Sequence, residues 1–369
     1  MDCHLRCEMN FDQAPLIVIW ETTQACDLAC VHCRASAAPQ RHRSELSTDE
    51  AYRLLDQIRE FGTPLMVFTG GDPLKRPDLS LLLRRSVALG LRTNVSPSAT
   101  PLLTRNAIQE FKDCGVQRMA ISLDGPNAYS HDEFRGVTGT YDRAIEALED
   151  ARLVGLETQL QTTVTRRNMH SLDQIAQIAA LAEVRMWSLF FLVVTGRALL
   201  GDDLMAEEYE QVFEKLYEIS QWAAFDVKTT EAMHYRRYLA RRNKEEATAP
   251  SGAQKAVWRT AGVSDGRGFI FISHTGEIYP SGFLPVSAGN VRHDSLVDVY
   301  RNSSLFRILR DSAGRQGKCG VCEYTKLCGG SRARAYATTG NYLGEDPRCT
   351  YQPSRFLGEQ DLATERRLM

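Results

Sequence analysis

PLIVIWETTQACDLACVHCRA, residues 15–35, is the stretch that decides how this chain folds. Its first part is apolar and rich in β-branched side chains, which predicts a buried strand. A loop follows at once and carries Cys26, Cys30 and Cys33 in a C-x3-C-x2-C spacing. Three closely spaced thiols directly after a buried strand indicate a metal or iron–sulfur site at the end of a sheet.

A second group of cysteines lies near the other end of the chain. Cys319, Cys322 and Cys328 occur in GKCGVCEYTKLCGG, and Cys349 follows in DPRC. Four thiolates close the coordination of a [4Fe–4S] cube, whereas three leave one iron free to bind a small molecule. Open and closed coordination separate catalytic from structural zinc sites in the same way. The sequence therefore predicts one chemically active site and one supporting site.

Strand-like and helix-like segments alternate over residues 15–224. Strands are expected at 15–21, 65–71, 91–96, 116–125, 157–165 and 184–194. Helices are expected at 47–62, 78–90, 104–115, 141–155, 171–183 and 206–224. Ser47 with Glu50 and Ser171 with Gln174 form capping-box patterns. Such alternation predicts a parallel sheet, either open or closed into a complete or partial barrel, with ligands at the carboxyl ends of its strands.

The composition is that of an ordinary globular protein. Lysine and arginine (44) nearly balance aspartate and glutamate (46), so nothing indicates binding to nucleic acid or to an anionic membrane. The first ten residues are polar and no uncharged apolar run could span a bilayer, so we expect a cytoplasmic protein. Cys3 and Cys7 lie in an unpatterned segment, and Cys114 is expected in the core.

The cysteine triplet, together with the motifs that follow later strands, resembles the radical S-adenosylmethionine (SAM) enzymes. In that family the triplet follows the first strand of a partial (β/α)6 barrel. The resemblance implies that Cys26, Cys30 and Cys33 hold a [4Fe–4S] cluster whose open iron binds SAM. The residue before the third cysteine is usually aromatic and lies near the adenine, and here it is His32. Three cysteines and a histidine also suit zinc, which is the alternative for this site.

A glycine-rich motif follows the second expected strand and is similar to the family's GGE motif, with aspartate in place of glutamate. It comprises Thr69, Gly70, Gly71, Asp72 and Pro73. Glycines let a backbone approach a ligand closely, and exposed carbonyls can accept hydrogen bonds from an ammonium group. The resemblance implies that this motif contacts the SAM amino group.

A third motif follows the fourth expected strand. Ser122 and Asp124 lie in SLDGP, and Arg135 follows in HDEFRG. The resemblance implies that Ser122 binds the SAM moiety and that Arg135 binds its carboxylate, for which a guanidinium fork is suited. A surface ion pair is the alternative interpretation of Arg135.

The C-terminal cysteines, spaced C-x2-C-x5-C-x20-C, resemble the auxiliary-cluster domains called SPASM and twitch domains. The resemblance implies that these four cysteines hold one auxiliary [4Fe–4S] cluster. Two further cysteine positions of a full SPASM domain fall near Ser281 and Arg332, so the chain resembles the reduced, single-cluster form. A structural zinc knuckle is the alternative.

We therefore expect an α/β fold with three parts. A partial (β/α)6 TIM-like barrel of the radical SAM type should cover residues 1–225. An irregular connector should cover 226–267, and a small α+β iron–sulfur domain should cover 268–369. A β-hairpin is expected at 266–282 and a helix at 295–311.

The resemblance implies an enzyme that reductively cleaves SAM to a 5′-deoxyadenosyl radical and abstracts a substrate hydrogen. An external electron donor such as flavodoxin or ferredoxin would be its partner. The wording around the C-terminal cysteines is similar to enzymes of alternative haem and haem d1 biosynthesis. This implies oxidative modification or decarboxylation of a haem-like tetrapyrrole.

Two alternatives remain. Maturases of ribosomally made peptides share the scaffold. Many of them carry a leader-peptide-binding domain, for which the fourteen residues before the first expected strand are too few, and a separate protein carrying that domain stays an open alternative. A non-catalytic iron–sulfur electron carrier or sensor would keep the barrel, although such a protein needs no SAM motifs.

Several basic residues are expected to meet substrate carboxylates at the mouth of the barrel or beside the second cysteine group. They are Arg197, His234, Arg236, Arg237, Arg332 and Arg334. Solvated or structural positions are the alternative interpretation for each of them.

Overall fold

A computed structural model describes residues 10–247 and 262–355 of the chain. The strands are β1 (Ile17–Glu21), β2 (Leu65–Thr69), β3 (Arg92–Val95), β4 (Arg118–Ser122), β5 (Glu157–Val164), β6 (Met186–Phe191), β7 (Asp226–Thr230), β8 (Phe269–Ile272), β9 (Glu277–Tyr279) and β10 (Gly289–Asn290). The α-helices are α1 (Thr48–Arg59), α2 (Leu79–Ala88), α3 (Arg105–Asp113), α4 (Ala128–Arg135), α5 (Thr140–Val154), α6 (Leu172–Leu181), α7 (Ala206–Trp222), α8 (Tyr235–Ala247), α9 (Leu296–Asn302), α10 (Ser304–Arg310), α11 (Gly317–Val321) and α12 (Arg332–Thr339).

All ten strands join one sheet in the order β10-β9-β8-β1-β2-β3-β4-β5-β6-β7. Strands β1 to β7 are parallel and consecutive, and at least one α-helix lies between each strand and the next. Strand β8 continues the sheet in parallel on the other side of β1, and β9 and β10 add an antiparallel edge. The sequence prediction of an α/β fold with a partial TIM-like barrel is confirmed.

The two faces of the strands have different neighbours because side chains alternate along a strand. Val18 and Trp20 of β1 are fully buried in a core that also holds Leu54, Leu55 and Ile58 of α1. The intervening positions of the strands point away from these helices and face the interior of the barrel. Side chains at the carboxyl ends of the strands therefore converge on one cavity.

Capping side chains determine where several of the helices begin. The capping box of Ser47 and Glu50 is present at the start of α1, as predicted. The one predicted at Ser171 is wrong. A short 3₁₀ turn over Met169–Ser171 leaves Ser171 at φ −108° and ψ 7°, outside the extended conformation that a capping side chain needs. The single helix expected at 295–311 is two helices, because Ser303 ends α9 and caps α10.

The segment expected to be an irregular connector contains a strand and a helix. Strand β7 pairs with β6, and α8 follows it. The sequence did not predict β7 because DVKTT is short and mostly polar. Its one apolar residue, Val227, packs on the core. The sheet also crosses residue 268, since β8 pairs with β1. The division of the chain into three domains stays a prediction.

The hairpin expected at 266–282 is confirmed by the antiparallel pairing of β8 with β9. Cys3 and Cys7 lie outside the described residues, as do residues 248–261 of the expected connector. Cys114 is buried in the core, as predicted. Within 10–247 and 262–355, no helix has both the length and the apolar character needed to cross a membrane.

Candidate active site at the carboxyl ends of the strands

An open cavity of about 1030 Å³, counted with its mouth, lies at the carboxyl ends of the barrel strands. Nine of the predicted site residues line it: Cys26, His32, Cys30, Cys33, Thr69, Gly70, Gly71, Ser122 and Arg135. They come from loops or strand ends after β1, β2 and β4 and from α4, so segments far apart in sequence meet here. This is the end of a parallel barrel at which ligands bind.

The cysteine triplet is held in a loop whose N–H groups point at its sulfur atoms. The Leu28 amide donates to Cys26 Sγ over 3.4 Å, and the Ala37 amide donates to Cys33 Sγ over 3.4 Å. Hydrogen bonds of this kind favour the thiolate form, which is the form that ligates metal. The donor set therefore fits a thiolate-ligated cluster at this place.

The glycine pair after β2 lies directly against this loop. A Cβ on Gly70 would be 2.7 Å from the Thr23 carbonyl oxygen, and one on Gly71 would be 2.4 Å from that of Ala25. The amides of Gly71 and Asp72 donate to those same two carbonyls, over 2.8 and 2.6 Å. No larger residue fits at either position, so the glycines fix how close the triplet comes to β2.

Asp72, Pro73 and Asp124 lie behind the cavity wall and do not line it. Asp72 is fully buried, caps the turn that Pro73 begins, and accepts a 2.7 Å hydrogen bond from Thr100 Oγ1. Burial raises the pKa of Asp72 despite these bonds. The carboxylate thus ties the loop after β3 to the glycine motif, which is a different place from the ligand contact that the sequence suggested.

Arg135 forms a buried ion pair with Asp124, so the surface pair considered as an alternative is not what the structure shows. Asp124 Oδ1 also accepts a 2.7 Å hydrogen bond from the Thr163 amide. Nη1 of Arg135 lies 3.7 Å from Cys30 Sγ. The guanidinium therefore stands beside the triplet with its charge matched by a carboxylate, and its SAM-binding role stays a prediction.

His32 packs against Phe134 of α4, with ring centroids 4.3 Å apart. Burial lowers the pKa of His32 well below its ordinary value, and Arg135 and Arg197 act in the same direction. The imidazole is therefore neutral and presents an apolar, aromatic surface. That surface is what the family's aromatic residue would supply at this position.

Other cavity residues carry no recognisable motif, and the sequence singled out none of them individually, although its strand period predicts that alternate side chains of 187–197 face the barrel interior. These other cavity residues are Ser96, Pro97, Ser98, Gln161, Thr163, Phe190, Leu192, Val193 and Phe283. Most lie at the ends of β3, β5 and β6, so the rule that ligands bind at carboxyl ends of strands could have indicated them. Phe283 could not have been found in this way, because it comes from the C-terminal part of the chain. Its ring centroid lies 6.3 Å from that of Phe190.

The basic residues expected to meet substrate carboxylates are bound elsewhere in the fold. Arg197 donates to the carbonyls of Cys30 and Ala37, over 2.9 and 3.1 Å, and so straps the triplet loop. Arg236 donates to the Val263 carbonyl over 2.7 Å. Nη2 of Arg197 has no hydrogen-bond partner among the described residues, so one donor pair stays available there. The role of these two arginines toward substrate carboxylates stays a prediction.

The remaining four basic residues are buried, each 3% exposed or less. Arg237 pairs with Glu210, and Arg334 pairs with Asp346 over 3.1 Å. His234 lies 3.8 Å from Asp346, and burial lowers its pKa to about 3. Arg332 donates to backbone carbonyls. None of the four is placed to receive a substrate carboxylate.

The four C-terminal cysteines meet in a second, smaller pocket. Its wall also contains Arg237, Lys318 and Gly330. The amide of Gly330 donates to Cys328 Sγ over 3.4 Å, and that of Asp346 donates to Cys319 Sγ over 3.5 Å. Burial raises the pKa of Cys328 to about 12 and that of Cys349 to about 11. Metal ligation requires the thiolate forms, so a metal centre that binds here would displace these protons.

Among the described residues, no three His, Cys, Asp or Glu side chains converge around a point that could hold a single metal ion. A cube of iron and sulfur spreads its thiolate ligands around a cluster and so asks for a different geometry. A bound zinc ion and an iron–sulfur cluster at these cysteines are distinguished by their metal content.

The family model of the radical SAM superfamily matches residues 20–179. The AdoMet-dependent heme synthase of Oleidesulfovibrio alaskensis is 42% identical over 344 residues, which cover 92% of this chain and 88% of that protein. The chain belongs to the radical SAM superfamily. It is therefore an enzyme that cleaves SAM reductively with a [4Fe–4S] cluster, as the sequence predicted, and it is not a non-catalytic carrier or sensor.

Two further proteins are similar to this chain over most of their length. The mycofactocin maturase MftC of Mycobacterium tuberculosis is 31% identical over 371 residues, covering 96% of this chain and 87% of that protein. The crystal structure of Streptococcus suis SuiB bound to S-adenosylmethionine has a TM-score of 0.72 at 18% identity. It covers 92% of this chain and 78% of that chain, and shows that the two share a fold.

Proposed function

We propose that this radical SAM enzyme removes or oxidatively modifies propionate side chains of an iron-containing tetrapyrrole. The observation that carries the proposal is the similarity, across nearly the whole chain, to a protein named AdoMet-dependent heme synthase. The relative named mycofactocin maturase MftC is less similar, at 31% against 42% identity. The substrate class thus follows the more similar relative.

The proposal assigns the two cysteine groups to two clusters. Cys26, Cys30 and Cys33 would hold the [4Fe–4S] cluster that binds SAM, and the four C-terminal cysteines would hold an auxiliary [4Fe–4S] cluster. What supports this is the convergence of each group on its own pocket, with N–H donors directed at the sulfur atoms. A zinc site at the C-terminal group is the competing assignment.

When bound, SAM and the cluster supply a 5′-deoxyadenosyl radical, which takes a hydrogen atom from the substrate. The chain's own task is to position the reactants and to exclude water. In this proposal, the backbone of Thr69, Gly70 and Gly71 binds the amino group of SAM. Ser122 and Arg135 bind its remaining polar groups. The neutral ring of His32 would lie against the adenine.

An aromatic wall on one side of the cavity suits a flat macrocycle. Phe190 at the end of β6 and Phe283 from the C-terminal part line the cavity together with Leu192 and Val193. Aromatic faces of this kind gain stacking energy from a planar conjugated ligand. The wall also joins the barrel to the C-terminal part, so both would contact the substrate.

Lys228 is the cation that we propose for a substrate carboxylate. It lies on β7 opposite Ser188 of β6, and its neighbour Val227 packs on the outer core, so Lys228 faces the barrel interior. Burial lowers the pKa of Lys228, and the nearby charge of Arg236 lowers it further. Within the described part of the chain, no carboxylate pairs with Lys228. A propionate would supply the missing counter-charge.

Reduction of the first cluster needs an electron from outside the chain. We propose a flavodoxin or ferredoxin as the donor, since these carry single electrons at low potential. The near balance of acidic and basic residues favours neither a nucleic acid nor a membrane as a further partner.

The proposal is tested by offering the reduced, reconstituted protein SAM together with an iron coproporphyrin. We expect a shift of the porphyrin absorption band on binding. For each propionate carboxylate that reacts, carbon dioxide should then be lost together with the hydrogen atom that the 5′-deoxyadenosyl radical takes, while one electron passes to an external one-electron acceptor. Absence of porphyrin binding, with turnover of a small peptide encoded beside the enzyme, would transfer the assignment to the peptide maturases.

Metal analysis tests the two cluster assignments separately. Two [4Fe–4S] clusters require about eight irons per chain after anaerobic reconstitution. Replacing Cys26, Cys30 and Cys33 together with alanine should halve this content, and so should replacing the four C-terminal cysteines. Stoichiometric zinc at the C-terminal group, with only one cluster, would overturn the auxiliary assignment.

A further inference from the structure

Arg332 is a buried arginine whose charge has no carboxylate partner. It is 2% exposed, and its guanidinium donates to the carbonyls of Tyr342 (3.2 Å), Gly330 (3.4 Å) and Gly344. Its Nη2 lies 3.7 Å from Cys319 Sγ. In the part of the chain that the structure describes, it forms no ion pair. Backbone carbonyls satisfy its N–H groups but leave the full positive charge beside the sulfur.

The first cysteine group offers an internal comparison. Arg135 also lies 3.7 Å from a cysteine sulfur, that of Cys30, but it is paired with the carboxylate of Asp124. In each cysteine group, one guanidinium therefore lies 3.7 Å from one cysteine sulfur. Among the residues that the structure describes, no carboxylate pairs with the guanidinium at the C-terminal group, whereas Asp124 pairs with the one at the first group.

Further positive charge surrounds the C-terminal cysteines. Arg315 donates to Thr325 Oγ1 over 2.9 Å, and its pKa is lowered by burial and by Arg332. Arg236 donates to the Val263 carbonyl. Neither pairs with a carboxylate among residues 10–247 and 262–355. Buried cations are costly unless an anion lies nearby, and thiolates around a cluster are such an anion.

We propose that Arg332 is a positioning residue that raises the reduction potential of the auxiliary cluster. The inference rests on the auxiliary cluster proposed above. Four thiolates outweigh the charge of the iron–sulfur core, so one-electron reduction adds negative charge to a site that is already anionic. An N–H···S hydrogen bond and an unpaired cation stabilise the reduced form more than the oxidised form. Arg332 supplies both on Cys319.

The test uses the full-length chain with Cys26, Cys30 and Cys33 replaced by alanine, so that the auxiliary cluster alone gives the signal. Its reduction potential is measured by a redox titration followed by electron paramagnetic resonance. We expect Arg332→Gln to lower the potential by about 59 mV, which is a tenfold change in a one-electron equilibrium. Arg332→Lys should lower it by less, because it keeps the charge but loses the fork geometry.

Arg310→Gln is the matched control. The side chain of Arg310 is also only 6% exposed and donates to two carbonyls, those of Tyr300 and Arg301. Its charge is paired with Asp12 over 2.9 Å, and no cysteine sulfur accepts from it in the described residues. Its replacement should leave the potential unchanged. An unchanged potential in Arg332→Gln with full iron content would overturn the inference while the cluster assignment stands. If Arg332→Gln assembles no cluster, Arg332→Lys decides in the same way. Zinc in place of iron would overturn both.

Discussion

Gly71→Ala tests the claim that the glycine motif sets the position of the cysteine triplet. A Cβ at Gly71 would lie 2.4 Å from the Ala25 carbonyl oxygen, whereas real contacts of this kind almost never fall below 3.0 Å. The triplet loop must therefore retreat by at least 0.6 Å. Functional groups have to be held within roughly 0.5 Å of their productive positions, so this exceeds the tolerance. We expect a loss of SAM cleavage on the order of 10²-fold and a destabilisation of about 1–3 kcal/mol.

The assay is formation of 5′-deoxyadenosine under strong reductant, with iron content and denaturant unfolding measured on the same preparation. Gly201→Ala is the control, because a Cβ there meets nothing within 4 Å. It should change the free energy of unfolding by no more than about 0.5 kcal/mol. SAM cleavage at the unsubstituted rate in Gly71→Ala would refute the reasoning, because the loop would then tolerate the shift.

Three further outcomes follow from the charges in and around the two pockets. Lys228→Met should weaken binding of iron coproporphyrin, seen in its absorption band, by about 1.5–3 kcal/mol, because a substrate carboxylate loses a charged donor; unchanged affinity would exclude Lys228 from the site. Arg135→Lys should weaken SAM binding about tenfold in calorimetry while both clusters stay in place, because lysine keeps a cation opposite Asp124 but loses the fork. Arg334→Met should lower the free energy of unfolding at pH 7 by about 3–5 kcal/mol, because it leaves Asp346 buried and unpaired. Burial opposes ionisation of Asp346, but Arg334 and His234 outweigh it and hold its pKa at about 2. The stability from this pair is therefore present above the ordinary pKa of 3.8 and is lost as the pH falls through about 2, so the effect of the substitution should vanish there.

The parts of the site that the sequence predicted are those carried by local patterns. The triplet follows a β-branched run, and the TGGDP and SLDG motifs directly follow apolar strands, so their placement at strand ends needs only the period of the strands. The same holds for the start of α1, where Ser47 and Glu50 are three residues apart. Strand β7 was missed because its residues are mostly polar and its burial comes from the neighbouring strand.

The binding partners of the buried arginines could not be predicted from local sequence patterns. Whether Arg334 meets a substrate or Asp346 depends on residues twelve positions apart being brought together by the cysteine loop. Arg332 and Arg334 are two residues apart in sequence, yet one donates to carbonyls and the other pairs with a carboxylate. Partner choice inside a protein is set by tertiary packing, to which the sequence pattern gives no guide.

The most direct test of the account is the origin of the hydrogen atom that the enzyme abstracts. Iron coproporphyrin deuterated on its propionate carbons is incubated anaerobically with reductant, SAM and the reconstituted protein, and the 5′-deoxyadenosine is analysed by mass spectrometry. The account predicts deuterium in the 5′-deoxyadenosine together with loss of carbon dioxide from the porphyrin. Deuterium-free 5′-deoxyadenosine with an unchanged porphyrin, at saturating substrate, would contradict it.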